Sequence, residues 1–140
     1  KDGIFNRTYY ELISGFDLTV FPSYYEPWGY TPLESIAFGV PTITTSLSGF
    51  GSWVTAQKLG HDLSDGVAVV NRTDHNYTEV VKKIAWSILD FAGKSESERT
   101  LCSEKAKALS ANALWSTFIK WYEKAYAVAR QAHTHHINRN

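Results

Sequence analysis

Three short apolar segments recur about every two dozen residues, and that recurrence leaves this chain few folds to choose from. They lie at residues 18–21, 41–45 and 66–70. Each is rich in Val, Ile, Thr or Phe and is bounded by Gly or Pro. Runs of this length and composition read as strands buried on both faces. Helical pattern fills the intervals between them. Strands joined through helices are parallel, because a parallel pair needs a crossover connection, and such crossovers are right-handed. The expected fold class is therefore α/β, built from successive βαβ units.

The remaining pattern is helical. Residues 9–16 read as a helix ahead of the first strand. A short helix is expected to begin after Thr31, which suits an N-cap, with Pro32 in the first helical position. Gly39 and Pro41 stop it. Residues 52–59 read as a further helix. Residues 77–92 carry apolar positions at Val80, Val81, Ile84, Ile88, Leu89 and Phe91. Residues 96–109 are more polar. Residues 114–132 present a wide stripe that includes Trp115, Phe118, Tyr122 and Tyr126. The stripe either packs against the sheet or the preceding helix, or docks on a partner domain. The expected boundaries are a partial domain with a helical end over 1–132 and a flexible tail over 133–140. His133, His135 and His136 fall in that tail with no Cys, Asp or Glu beside them, so they read as terminal residues rather than metal ligands.

Composition removes several function classes. With 140 residues the chain is long enough for one domain with a core. Its 14 basic residues balance 14 acidic ones, which argues against general attraction to nucleic acid or an anionic membrane. No apolar run approaches the ~20 residues that span a bilayer. The single cysteine, Cys102, cannot form an internal disulfide, and no signal peptide is visible, so a reducing cytoplasm is expected. The sequence neither starts with nor contains methionine, and it is expected to begin inside a larger protein. Oligomeric state is open.

Chemistry concentrates between Ser23 and Glu34. This stretch leaves the end of the first strand, and open α/β sheets bind ligands at the carboxyl ends of their strands. The N–H groups of Gly29, Tyr30 and Thr31 are expected at the mouth of the short helix, where free donors and the positive dipole end attract phosphate. Glu26 precedes Pro27, is biased to extended backbone, and lies outside the helix. It is either a solvated loop charge or a carboxylate that binds sugar hydroxyls and stabilises positive charge at an anomeric carbon. Glu34 fits the fourth position of a Thr31-Pro32-Leu33-Glu34 capping box, a structural role that competes with ligand binding. Paired carboxylates also occur in glycosidases, where both flank one bond at about 5–10 Å. Here the second carboxylate sits where a capping box would tie it down, and nucleotide-sugar transfer fits better because it also uses the phosphate-friendly N–H groups. Trp28, Tyr24, Tyr25 and Tyr30 either shape a sugar pocket or belong to the core. Ser48-Gly49-Phe50-Gly51 follows the next strand and reads as a plain turn in preference to a ligand contact.

Residues 21–34, continued by 39–51 from Gly39 through Gly49-Phe50-Gly51, resemble glycogen synthase of the fungal and animal type. The resembling block covers about 30 residues, and the flanks fit more loosely. That resemblance implies a retaining glycosyltransferase of the GT-B class, with two Rossmann-like domains facing a cleft. This chain would be the latter part of the C-terminal, nucleotide-sugar-binding domain, a Rossmann-like parallel sheet with flanking helices. It implies UDP-glucose as the usual donor, an α-1,4-glucan as acceptor, and no metal or other cofactor. The two glutamates of the family's E-x7-E motif fall on Glu26, at the donor glucose, and Glu34, near the ribose or supporting the loop. Backbone at Gly29, Tyr30 and Thr31 would hold the pyrophosphate, and Tyr9 would stack on the uracil, with Tyr10 adjacent.

Two departures bear on function. The family's basic donor-site pair and its N-terminal acceptor domain both lie upstream of Lys1, so these 140 residues alone are expected not to turn over. The family's arginine-rich helix that senses glucose-6-phosphate corresponds to residues 93–109. There Lys94, Arg99, Lys105 and Lys107 are diluted by Glu96, Glu98 and Glu104, so activation by that sugar phosphate is not expected. The rival readings are another retaining GT-B transferase with a different acceptor and a non-catalytic nucleotide-sugar-binding module.

Overall fold

The computed structural model describes residues 3–137, with side-chain burial described up to residue 132. It divides into two compact units, Lys1–Ser110 and Ala111–Asn140. The first unit runs α1 (Tyr9–Ile13), β1 (Thr19–Val20), α2 (Tyr30–Ala37), β2 (Thr42–Thr45), α3 (Gly49–Ala56), a 3-10 turn (Leu63–Asp65), β3 (Val67–Val70), α4 (Tyr77–Gly93) and α5 (Glu96–Ser110).

All three expected strands form, in the order β1-β2-β3, and both pairings are parallel. Thr19 and Val20 oppose Thr42 and Ile43, and Thr42 through Thr45 oppose Val67 through Val70. The β1 ladder continues in hydrogen bonds from Thr19 N–H to the Pro41 carbonyl at 3.0 Å and from Phe21 N–H to the Ile43 carbonyl at 2.8 Å. With helices as crossovers, both sheet faces are covered, and the core has two clusters. One holds Ile43, Ala68, Val70, Val80, Phe91 and Cys102. The other holds Ile36, Phe50, Val54, Val67, Ala106 and Leu109. Strand β2 is buried throughout, although three of its four residues are threonine. Its hydroxyls are satisfied, as burial demands. The Thr42 hydroxyl lies 2.9 Å from that of Thr19, and Thr44 Oγ1 lies 3.2 Å from Ser48 Oγ.

Two helix starts differ from the sequence expectation. Helix α2 begins at Tyr30 with Gly29 as its N-cap, two residues before the expected Thr31. Gly29 takes φ 114°, a left-handed conformation open to glycine, and so turns the chain into the helix early. Pro32 is tolerated inside the first turn because its missing N–H is one that has no intrahelical partner there. Helix α3 begins at Gly49, so Ser48-Gly49-Phe50-Gly51 is a helix N-terminus rather than a plain turn. Ser48 is its N-cap, accepting from Gly51 N–H at 2.9 Å.

The second unit consists of a 3-10 turn (Ala111–Ala113) and α6 (Trp115–Ile137). Helix α6 runs past residue 132, where the tail was expected to begin; residues 138–140 lie outside the described residues. Within it, the Trp115 and Tyr122 rings pack at 5.2 Å between centroids.

Candidate functional site

The loop between β1 and α2 leaves the carboxyl end of β1 and is held against the loop between β2 and α3. Glu26 and Ser48 form a parallel β-bridge. Glu26 N–H donates to the Leu47 carbonyl at 3.2 Å, and Gly49 N–H donates to the Glu26 carbonyl at 3.0 Å. Phe50 N–H donates to the Trp28 carbonyl at 2.6 Å. The loop therefore borrows a short piece of sheet to fix its backbone. Gly49 permits this approach, because a Cβ there would lie 2.2 Å from the Pro27 carbonyl oxygen.

The Glu26 side chain is half-buried. Ser23 Oγ donates to its Oε2 at 3.1 Å. A Cβ on Gly29 would lie 3.5 Å from the same oxygen, so the carboxylate turns back toward the N-cap of α2. Tyr30 and Thr31, the first two residues of that helix, have N–H groups that an α-helix cannot pair internally. Both residues are exposed at the helix mouth. Free N–H groups at a positive helix end can accept a phosphate, and the nearby carboxylate can accept hydrogen bonds from hydroxyls.

Glu34 is not in a capping box. With Gly29 as the cap, Glu34 lies more than a turn into α2 and no longer matches the position whose side chain returns to the cap. Its carboxylate instead accepts from the Tyr10 hydroxyl at 3.3 Å. Partial burial first, then the charge of Glu34 and a hydrogen bond to it, push the Tyr9 phenol up from its ordinary range. Tyr10 thus bonds Glu34, and Tyr9 lies within reach of its charge. Tyr10 is further engaged, stacked on Phe38 at 5.5 Å. Tyr9, 47% exposed, lines an apolar groove of about 360 Å³ together with Thr31, Leu12, Val20 and Phe21.

Trp28 packs among rings of α3, 6.4 Å from Phe50 and 6.0 Å from Trp53. Those contacts hold the loop in place. The fold thus brings Tyr9, Thr31 and Glu34 to one part of α2, and Glu26 and Gly29 to its start. Tyr10, named in the sequence only as the neighbour of Tyr9, bonds Glu34, and Ser23 bonds Glu26. The sequence reading passed over Arg72, whose NH1 donates to the Pro22 carbonyl at 2.8 Å. The signal for Arg72 was present: it follows a strand at its carboxyl end, where ligands gather in open sheets. Among the described residues no group of three His, Cys, Asp or Glu is placed to hold a metal, and no helix is long and apolar enough to cross a membrane.

Comparison with known proteins places the sequence in a family. The sequence profile of the family described as glycogen synthase matches residues 1–139. The chain is similar to a glycogen [starch] synthase of Caenorhabditis elegans, 36% identical over 121 residues, covering 86% of this chain and 18% of that protein. It is 37% identical over 123 residues to glycogen [starch] synthase isoform 1 of Saccharomyces cerevisiae, covering 87% of this chain and 17% of the relative. The liver glycogen [starch] synthase of Homo sapiens is 32% identical over 117 residues, with 84% and 16% covered. The chain thus spans less than a fifth of the length of these relatives. With the family's profile matched over nearly its whole length, the chain belongs to the glycogen synthase family.

Proposed function

We propose that this chain is the latter part of the nucleotide-sugar-binding domain of a retaining GT-B glycosyltransferase. The enzyme moves glucose from UDP-glucose to an α-1,4-glucan in the cytoplasm, and the chain needs an acceptor domain beyond these residues for turnover. The observation that carries the reading is the Glu26 carboxylate turned toward the N-cap of α2, beside unpaired N–H groups at the carboxyl end of a parallel sheet. The N–H groups of Gly29, Tyr30 and Thr31 hold the pyrophosphate. Glu26 lies at the donor glucose, where its charge stabilises positive charge developing at the anomeric carbon. Glu34, freed from any cap, takes the ribose hydroxyls, and Tyr9 stacks on the uracil from the rim of its groove. Trp28, itself on the loop, packs against Phe50 and Trp53 of α3 and holds the loop there. Cys102 is a free, buried thiol, which accords with a reducing compartment.

The test is incorporation of glucose into glycogen by the full-length protein, with UDP-glucose and ADP-glucose in turn. UDP-glucose is expected to be used, Glu26→Ala to lower kcat far more than donor affinity, and added glucose-6-phosphate to leave the rate unchanged. No incorporation from either donor by a folded full-length protein overturns the glucan assignment in favour of another acceptor or a non-catalytic module.

A further inference from the structure

The first half of the loop that carries Glu26 has little main-chain pairing of its own. Pro22 lacks an N–H, and Pro22, Tyr24 and Tyr25 are exposed. The segment is held by side chains that arrive from the ends of the other two strands. Arg72, just after β3, donates from NH1 to the Pro22 carbonyl at 2.8 Å. Its guanidinium carbon lies 5.1 Å from the centroid of the Tyr24 ring, within cation–π range. The Tyr24 hydroxyl in turn donates to Asp74 Oδ1. Thr45, at the end of β2, donates its hydroxyl to the Ser23 carbonyl at 2.5 Å. Arg72 is itself fixed, since its N–H donates to Ser46 Oγ at 2.9 Å. Its Nε is buried without a hydrogen-bond partner, so the NH1 bond and the Tyr24 ring set where the guanidinium sits. Between these anchors lies Ser23, whose hydroxyl donates to Glu26 Oε2 at 3.1 Å.

We propose that Arg72 is a positioning residue for Glu26: clamped on the Pro22 carbonyl and the Tyr24 ring, it fixes Ser23, and Ser23 aims the Glu26 carboxylate. The inference rests on the reading of Glu26 as the carboxylate at the donor sugar. Physically, the clamp replaces the main-chain ladder that β1, only two residues long, cannot extend into the loop. Arginine suits the place because one planar group both donates along its edge and lies over a ring, which a lysine ammonium cannot do together.

The experiment uses the full-length protein with Arg72→Ala, Ser23→Ala and Glu26→Ala. It reads kcat and donor KM in the glucose-incorporation assay, together with hydrogen exchange of residues 22–30. Arg72→Ala and Ser23→Ala are each expected to lower kcat by about tenfold or more, with donor KM within about twofold. Loop exchange should quicken in Arg72→Ala, and added guanidinium ion should restore part of its turnover but none of that of Glu26→Ala. An Arg72→Ala protein with native kcat and native loop exchange overturns the proposal. If Arg72→Ala does not fold, Ser23→Ala decides, and native turnover there overturns it. Native turnover in Glu26→Ala instead defeats the donor reading; exchange in Arg72→Ala then decides the clamp by itself, faster exchange supporting it and unchanged exchange overturning it.

Discussion

Replacing Gly49 by alanine probes the contact on which the whole site is mounted. An added Cβ would lie 2.2 Å from the Pro27 carbonyl oxygen and 3.0 Å from both the Pro27 carbonyl carbon and the Trp28 Cα. All three are main-chain atoms, so no side chain can swing aside. Comfortable contact needs about 3.5 Å, and the loop and α3 must therefore part by roughly 1 Å. That movement breaks or stretches the bonds from Gly49 N–H to Glu26 and from Phe50 N–H to Trp28, and it strains the one from Glu26 N–H to Leu47. At about 1 kcal/mol net for each, the loss is about 3 kcal/mol, and the better helix propensity of alanine returns at most ~1 kcal/mol. The local opening free energy should fall by about 2 kcal/mol, which is roughly a thirtyfold faster exchange of the amides of Glu26, Gly49 and Phe50. Gly93→Ala is the control, because a Cβ there meets nothing within 4 Å and the position ends α4. The assay is hydrogen exchange on the two full-length variants, with turnover measured alongside. If Gly49→Ala exchanges and turns over like Gly93→Ala, the loop is not seated on α3 as described.

Two further predictions concern carboxylates. Since Glu34 caps nothing, Glu34→Gln should leave α2 as stable as before, and removal of the charge should lower the Tyr9 pKa toward its ordinary range, read by ultraviolet difference titration. An unchanged Tyr9 titration would contradict the influence of the Glu34 charge on Tyr9, and a raised donor KM at normal stability would support the ribose role. Glu11 and Glu98 behave in the opposite sense. Hydrogen bonds from the Thr8 N–H and hydroxyl to Glu11, and from the Ser95 hydroxyl and N–H to Glu98, hold both carboxyls below their ordinary range. A folded pKa below the unfolded one contributes stability above the unfolded value and loses it as pH falls through the folded value. The first turns of α1 and α5 should therefore fray in acid, below about pH 4, as read by amide exchange. Glu98→Gln should keep the α5 cap and remove its pH dependence, since glutamine serves in the same reciprocal pair. Persistent pH dependence at α5 in Glu98→Gln would refute the assignment.

The misplacement of the α2 start has a clear cause. Thr31, Pro32 and Glu34 match every local preference for a capped start, and local preference was all that the sequence could be read for. The loop is instead pinned to Leu47 and Phe50 across the sheet. That pinning delivers the chain at Gly29 in a left-handed conformation, so the helix starts there. The same lesson applies at Gly49. Its neighbours Ser48 and Gly51 carry a helix N-cap signal, but the need for glycine comes from Pro27, far away in sequence.

What the sequence by itself determined is the architecture and the place of the Glu26 loop within it. Strand period, helix period and breakers are local, so three parallel strands with helices between them, and a loop bearing Glu26 at the end of the first, can be read from neighbouring residues alone. The E-x7-E spacing and the family resemblance also lie in contiguous residues. What only the tertiary structure decided is which partner each of those residues has. Glu34 meets Tyr10 across 24 positions, and Arg72 meets Pro22 across 50. Contacts of that separation exist only after the sheet has brought strand ends together. They show that Glu34 is no helix cap and that Arg72 reaches the loop after β1, because burial and hydrogen-bond partners are properties of the packed chain and not of the residue.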